Sequence, residues 1–176
     1  MSARIGLLGL GSNVGERRTH LQAAVDALPA AGVRVLASSS VYDTDPVGEV
    51  PDQASFLNAC VRVETELEPL ELLDAAKHVE RQLGRALDGA EYVRHGPRTI
   101  DIDVLLLGKL QLRHPRMTLP HEQVLARRFV LIPALELDFE QITPAGVKLA
   151  DALAALAPDE GVRWHGPPLR VAPRHL

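Results

Sequence analysis

Two carboxylates stand two residues apart in the most strand-like stretch of the chain, "RHGPRTIDIDVLLLG", Arg94 to Gly108. Ile100, Ile102, Val104, Leu105, Leu106 and Leu107 call for an apolar setting, yet Asp101 and Asp103 alternate with them. Alternate residues of a strand project to one side, so the two carboxylates share a face with Cα atoms ~6.6 Å apart. Like charges so placed repel unless a cation lies between them. Hard divalent ions take oxygen ligands, and a pair of Mg²⁺ ions ~3.5–4 Å apart can be held by such a dyad with phosphate oxygens. The plainer alternative is the solvated side of an antiparallel sheet, where polar residues alternate outward. The neighbours favour the metal. Arg98 follows a rigid Gly-Pro turn, Arg85 ends the preceding helical pattern, and Arg116, His121, Arg127 and Arg128 come after the strand. Arginines and a carboxylate-bound metal together form a clamp for a polyphosphate whose charge shifts during transfer, although for any single arginine a solvated surface residue is the better reading.

Other polar signals are weaker. Asn58 lies within a strand pattern on the same face as Phe56, where an amide can read the donor and acceptor edge of a heterocycle. Aromatics make up only 3 %, and Phe56 and Phe129 both flank polar loops, so their rings can sandwich a planar ligand. The N-terminal "GLGSNVG" misses the dinucleotide-binding glycine spacing by one residue, and no Gly-Lys-Ser/Thr of a phosphate-binding loop is present. A tight strand-to-helix turn, with Ser12 or Asn13 near the helix cap, is the expectation there. The seven histidines have no zinc-type spacing, and the lone Cys60 reads as a small core residue.

The elements that must carry these groups follow from periodicity. Strands are expected at Ile5–Leu10, Val33–Val41, Phe56–Glu64 and Ile100–Leu107, and helices from Glu16 to Leu28 and from Pro69 through Leu83. Asp43–Gln53 and Gly84–Pro97 read as long loops, the second bracketed by Arg85 and Arg98 and expected to close over a bound nucleotide. An apolar run "FVLIPALEL", a helix over Lys148–Leu156 and a Pro-rich tail complete the chain. The order βαββαβ predicts an α+β, ferredoxin-like fold, an antiparallel sheet with helices packed on one face. With 176 residues the chain is expected to form a single domain, residues 1–176. A net charge of −4 and the absence of sheet-surface aromatics and basic character argue against nucleic acid as a partner. The N-terminal apolar run is too short for a membrane span, and a single cysteine fits a reducing, cytoplasmic setting.

Taken together, "LGLGSNVGE", "SSVYDTDPVG", "FLNACVRVET", Gly84–Arg85, "RHGPRTIDIDVLL" and "LPHEQVLARRFVLIP" occur in an order similar to that of the 6-hydroxymethyl-7,8-dihydropterin pyrophosphokinases. The resemblance covers residues 5 to 135, and the segment after Pro158 lies outside it. It implies an enzyme that binds MgATP and a pterin, with attack of the pterin hydroxymethyl oxygen on the β-phosphorus and departure of AMP. It implies two Mg²⁺ ions on Asp101 and Asp103, with Arg85 and Arg98 counted beside them as catalytic. It implies nucleotide contacts from Glu80, Arg85, Arg98, Val104, Arg116, Thr118, His121 and Arg127. Phe56 and Phe129 would sandwich the pterin, with Asn58 and the backbone around Thr44 and Val47 at its edge. A cytoplasmic monomer is expected. This chain has His95 where the family often has tryptophan, a longer 86–93 loop, and Glu122 where an aromatic is common.

Overall fold

The computed structural model describes residues 2–46, 54–84, 99–157 and 161–173. Five strands run antiparallel in the order β5 (Asp101–Leu107), β1 (Arg4–Ser12), β4 (Phe56–Thr65), β3 (Val41–Thr44) and β8 (Val162–Gly166), and β2 (Arg34–Ser38) also pairs with β4. Helices α1 (Arg17–Ala27) and α2 (Pro69–Gln82) are the two crossovers, so the expected ferredoxin-like arrangement is present. A small hairpin, β6 (Leu112–His114) and β7 (Met117–Leu119), follows β5 and leads to a cis Leu119–Pro120 bond. Then come α3 (Arg128–Leu137) and α4 (Leu149–Ala155).

Each crossover helix shows why it forms. In α2, Leu72, Ala76 and Val79 recur on one side and are buried; Glu68 and Glu71 make a capping box and Pro69 takes the first turn. In α1, Leu21, Ala24 and Val25 are the buried stripe. Its cap position is Glu16, not Ser12 or Asn13. Those two are buried behind the turn, where Asn13 donates to the Ala54 carbonyl at 3.2 Å.

Alternation along the strands sends Leu8, Leu10, Leu57, Ala59, Val61, Ile102 and Val104 towards α1 and α2, where they form the larger core. The opposite face is covered in part by α3 and α4, which pack Val130, Leu131, Ala134 and Leu149 against Leu7, Cys60, Leu105 and Leu106. These helices add a second layer to the expected pair. The run "FVLIPALEL" gave no clear period because Val130, Leu131, Ala134 and Leu135 are all buried and little polar face remains.

Two expectations need correction. The stretch 33–41 is not one strand. It breaks at the serine triplet, where the Ser38 and Ser39 hydroxyls each donate to the next residue's carbonyl at 2.8 Å, giving the backbone an alternative to the ladder. The Pro-rich tail, for which no strand was expected, contains β8, which extends the sheet beyond β3. Among the described residues no helix is long and apolar enough to cross a membrane.

Candidate active site

The site begins with register. Asp101 lies opposite Gly11 and Asp103 opposite Gly9; across β1, Gly11 lies opposite Asn58 and Gly9 opposite Cys60. Directly paired residues of an antiparallel sheet point to the same side. Asp101, Asp103, Asn58 and Cys60 therefore share the face that α3 partly covers, and Ile102 and Val104 point to the other. Between the carboxylates and Asn58 the floor is glycine. A Cβ at Gly11 would stand 2.9 Å from Asn58 Nδ2 and 3.5 Å from a Phe56 ring carbon, and one at Gly9 would meet Leu105 at 3.4 Å. Neither position has room for a side chain: Asn58 lies against the backbone at Gly11 and Leu105 at Gly9, so glycine lets these groups pack close on one face. Sequence reasoning passed the two glycines over as a failed nucleotide motif. Their signal was glycine at i and i+2 inside a strand.

Asn58 is held firmly. Its Oδ1 accepts from the buried Thr44 hydroxyl at 2.5 Å and its Nδ2 donates to the Leu10 carbonyl at 3.3 Å. Thr44 pairs with Phe56 on one flank and Val162 on the other, so all three rise from one row. Thr44, Arg127 and Phe129 line a cavity of about 410 Å³. Cys60, at the base of α3, donates its thiol to the Val130 carbonyl at 3.7 Å. Burial, with the charges of Asp103 and Glu136, pushes that thiol's pKa far up, so it stays neutral. Glu136 was not anticipated from sequence. It accepts the Tyr42 hydroxyl and the Ser40 amide, both at 2.6 Å, tying α3 to β3; burial first, then that carboxylate, raise the Tyr42 pKa.

His121 comes after the cis proline, and its amide donates to the Leu105 carbonyl at 2.9 Å. Its Nδ1 accepts the Gln123 amide at 3.1 Å, so the proton of the neutral ring sits on Nε2. Burial lowers its pKa while the charges of Glu122 and Asp101 oppose the shift, which puts His121 within reach of Asp101's field. His121 and Thr118 line a second cavity of about 570 Å³, together with Arg113 and Glu122.

Several expected contacts are otherwise engaged. Glu80 is wholly buried under the sheet and accepts the Ile102 amide at 2.9 Å, closing the free edge of β5. Its other oxygen lies 3.6 Å from Lys77. Val104 is 3 % exposed in the larger core, so only its backbone is available to a ligand. Arg116, on the β6–β7 turn, forms a close ion pair with Asp74 of α2. Arg85, Arg98 and Val47 lie outside the described residues, as do His95 and nearly all of the 84–97 loop with its expected closure.

Among the described residues no third His, Cys, Asp or Glu joins Asp101 and Asp103 in a cluster of three. Two carboxylates suit Mg²⁺, which commonly takes one or two from the protein and completes its shell with water and substrate phosphates. The ferredoxin-like sheet sets an acidic pair and a fixed amide on one face, on either side of β1. The family model of 7,8-dihydro-6-hydroxymethylpterin-pyrophosphokinase matches residues 7–139. The chain belongs to that family. It is 41 % identical over 160 residues to 2-amino-4-hydroxy-6-hydroxymethyldihydropteridine pyrophosphokinase of Bacillus subtilis, covering 90 % of this chain and 89 % of that one. The Pseudomonas aeruginosa protein of the same name is 42 % identical, over 88 % of this chain and 93 % of its own. A solved HPPK-DHPS in complex with substrates superposes with a TM-score of 0.67 at 12 % identity, over 88 % of this chain and 43 % of that one, a likeness of fold.

Proposed function

We propose that the protein transfers a pyrophosphoryl group from MgATP to the hydroxymethyl group of 6-hydroxymethyl-7,8-dihydropterin, a step of folate synthesis, and that it does so as one cytoplasmic, monomeric domain. The observation that carries the reading is the row Asp101–Gly11–Asn58, which brings an acidic pair and a fixed amide to one face of the sheet, on either side of β1. Family membership supplies the chemistry. The pterin hydroxyl oxygen forms a bond to the β-phosphorus, the bond from that phosphorus to the α-bridging oxygen breaks, and AMP departs with the electron pair.

Asp101 and Asp103 would hold two Mg²⁺ ions. Bound there, magnesium neutralises phosphate charge and lowers the pKa of the attacking alcohol. Asn58, fixed by Thr44 and Leu10, orients the heterocycle at its edge. Phe129 and Phe56 contribute ring faces from α3 and β4, and the backbone at Thr44 and Val47 completes the edge. His121 offers an Nε2–H donor that needs no protonation to serve a phosphate oxygen. Thr118 and Arg127 stand near the nucleotide, and Arg116 reaches it by leaving Asp74. Glu80 acts from beneath by fixing the strand that carries both carboxylates. Arg85 and Arg98 add catalytic positive charge. The direct test is incubation with ATP, Mg²⁺ and the reduced pterin alcohol, followed by nucleotide analysis. AMP formed in step with the pterin diphosphate is expected; ADP, or no pterin-dependent turnover, contradicts the reading.

A further inference from the structure

The C-terminal segment beyond the family match at residue 139 raises a separate question, because it reaches the same face of the sheet. Val162 pairs with Thr44, which pairs with Phe56, so Val162 lies on the same face as Asn58, in the row next to the one that joins Asn58 to Gly11. Leu156, Ala157, Gly161 and Val162 line the 410 Å³ cavity opposite Phe129 and Arg127. Two arginines fix this wall from different sides. Arg128, next to Phe129, donates to the Leu156 carbonyl at 3.2 Å and to the Ala157 carbonyl at 2.7 Å, at the end of α4. Arg163 on β8 lies 3.3 Å from Asp43 and 3.0 Å from Asp45, and the Asp45 amide donates to the Gly161 carbonyl at 2.9 Å.

We propose that this segment is the outer wall of the pterin pocket, with Val162 setting the pocket's width and Arg128 and Arg163 acting as positioning residues. The inference rests on the pyrophosphokinase reading and deepens it. The wall touches Thr44 and Phe129 but neither carboxylate strand nor the His121 cavity. Changes in it therefore act first on the pterin, and Arg127, across the cavity, is the one nucleotide group they can reach. The segment lies beyond residue 139, where the family match ends.

Steady-state kinetics of Val162→Phe and Arg163→Gln, with thermal melting of each, test it. Val162→Phe narrows the cavity and should raise the KM for the pterin about tenfold, as steric misfit in an apolar pocket does. Arg163→Gln loosens a half-exposed ion network and should raise it about threefold, in the range of surface charge pairs. The KM for ATP should stay within about twofold in both, below the effect of one surface pair. Unchanged pterin KM in both variants, or equal rises for pterin and ATP, would overturn the inference while wild-type turnover stands. A wild-type enzyme that makes no AMP from the pterin alcohol would overturn the functional reading beneath it.

Discussion

The two faces of the central sheet are built from the same strands and differ in almost everything else. Towards α1 and α2 the strands present Leu8, Leu10, Ile102 and Val104, closed from solvent by a continuous core. Towards α3 the same strands present Gly9, Gly11, Asp101 and Asp103, next to the second core but outside it. In β5 the change is single-residue alternation: Asp101, Ile102, Asp103, Val104. One face carries the larger core; on the other, the second core takes Leu7, Cys60 and Leu105, and the carboxylates beside them are not part of it. Glu80 links the two faces, lying under the covered face yet holding the backbone of the strand that displays the acidic pair.

The largest effect expected on the covered face is from Ile102→Ala, which empties a site 1 % exposed and should cost about 2–5 kcal/mol of stability. Urea unfolding measures it, and a loss below about 1 kcal/mol would mean that this face does not bear the fold. A smaller, ligand-specific effect is expected on the open face. Phe129→Ala removes a ring that packs partly on the second core and partly on the cavity, so pterin binding should weaken by about 0.5–1.5 kcal/mol with nucleotide binding spared. Calorimetric titrations showing equal losses for both ligands would make Phe129 a core residue only. The smallest effect is a pH dependence. His121 has an ordinary value of 6.5, and burial lowers it in the folded protein. The unfolded chain therefore binds the proton more readily. The stability tied to this ring is complete above 6.5 and is lost as pH falls from there towards the lower folded value. Unfolding midpoints of wild type and His121→Gln should diverge in that direction below 6.5, and parallel curves would remove His121 from the account.

Much of this was legible in the sequence where one physical rule dominated. The strand carrying Asp101 and Asp103 and the buried stripe of α2 follow from periods of two and 3.6. The family resemblance named Asp101, Asp103, Asn58, Thr44 and Phe129, which the fold brings to one face. What stayed hidden depends on contacts remote in sequence. Nothing local says that the Ser38 and Ser39 hydroxyls would each close on the next residue's carbonyl, or that Glu136 of α3 would reach Tyr42. The glycine floor needed the register between β1, β4 and β5. The role of the tail needed the pairing of β8 with β3, which no motif announces.

The claim that the acidic pair does chemistry without bearing the fold is tested most directly by Asp101→Ala and Asp103→Ala, each assayed for turnover and for thermal unfolding without Mg²⁺. Turnover should fall by about a thousandfold or more, roughly 4 kcal/mol of barrier. The unfolding temperature should hold or rise, because one of two like charges on a shared face is gone. Turnover within about tenfold of wild type, roughly 1.4 kcal/mol, would contradict the metal-binding role of the pair. A collapse of the fold in either variant would contradict the placing of the pair outside the core.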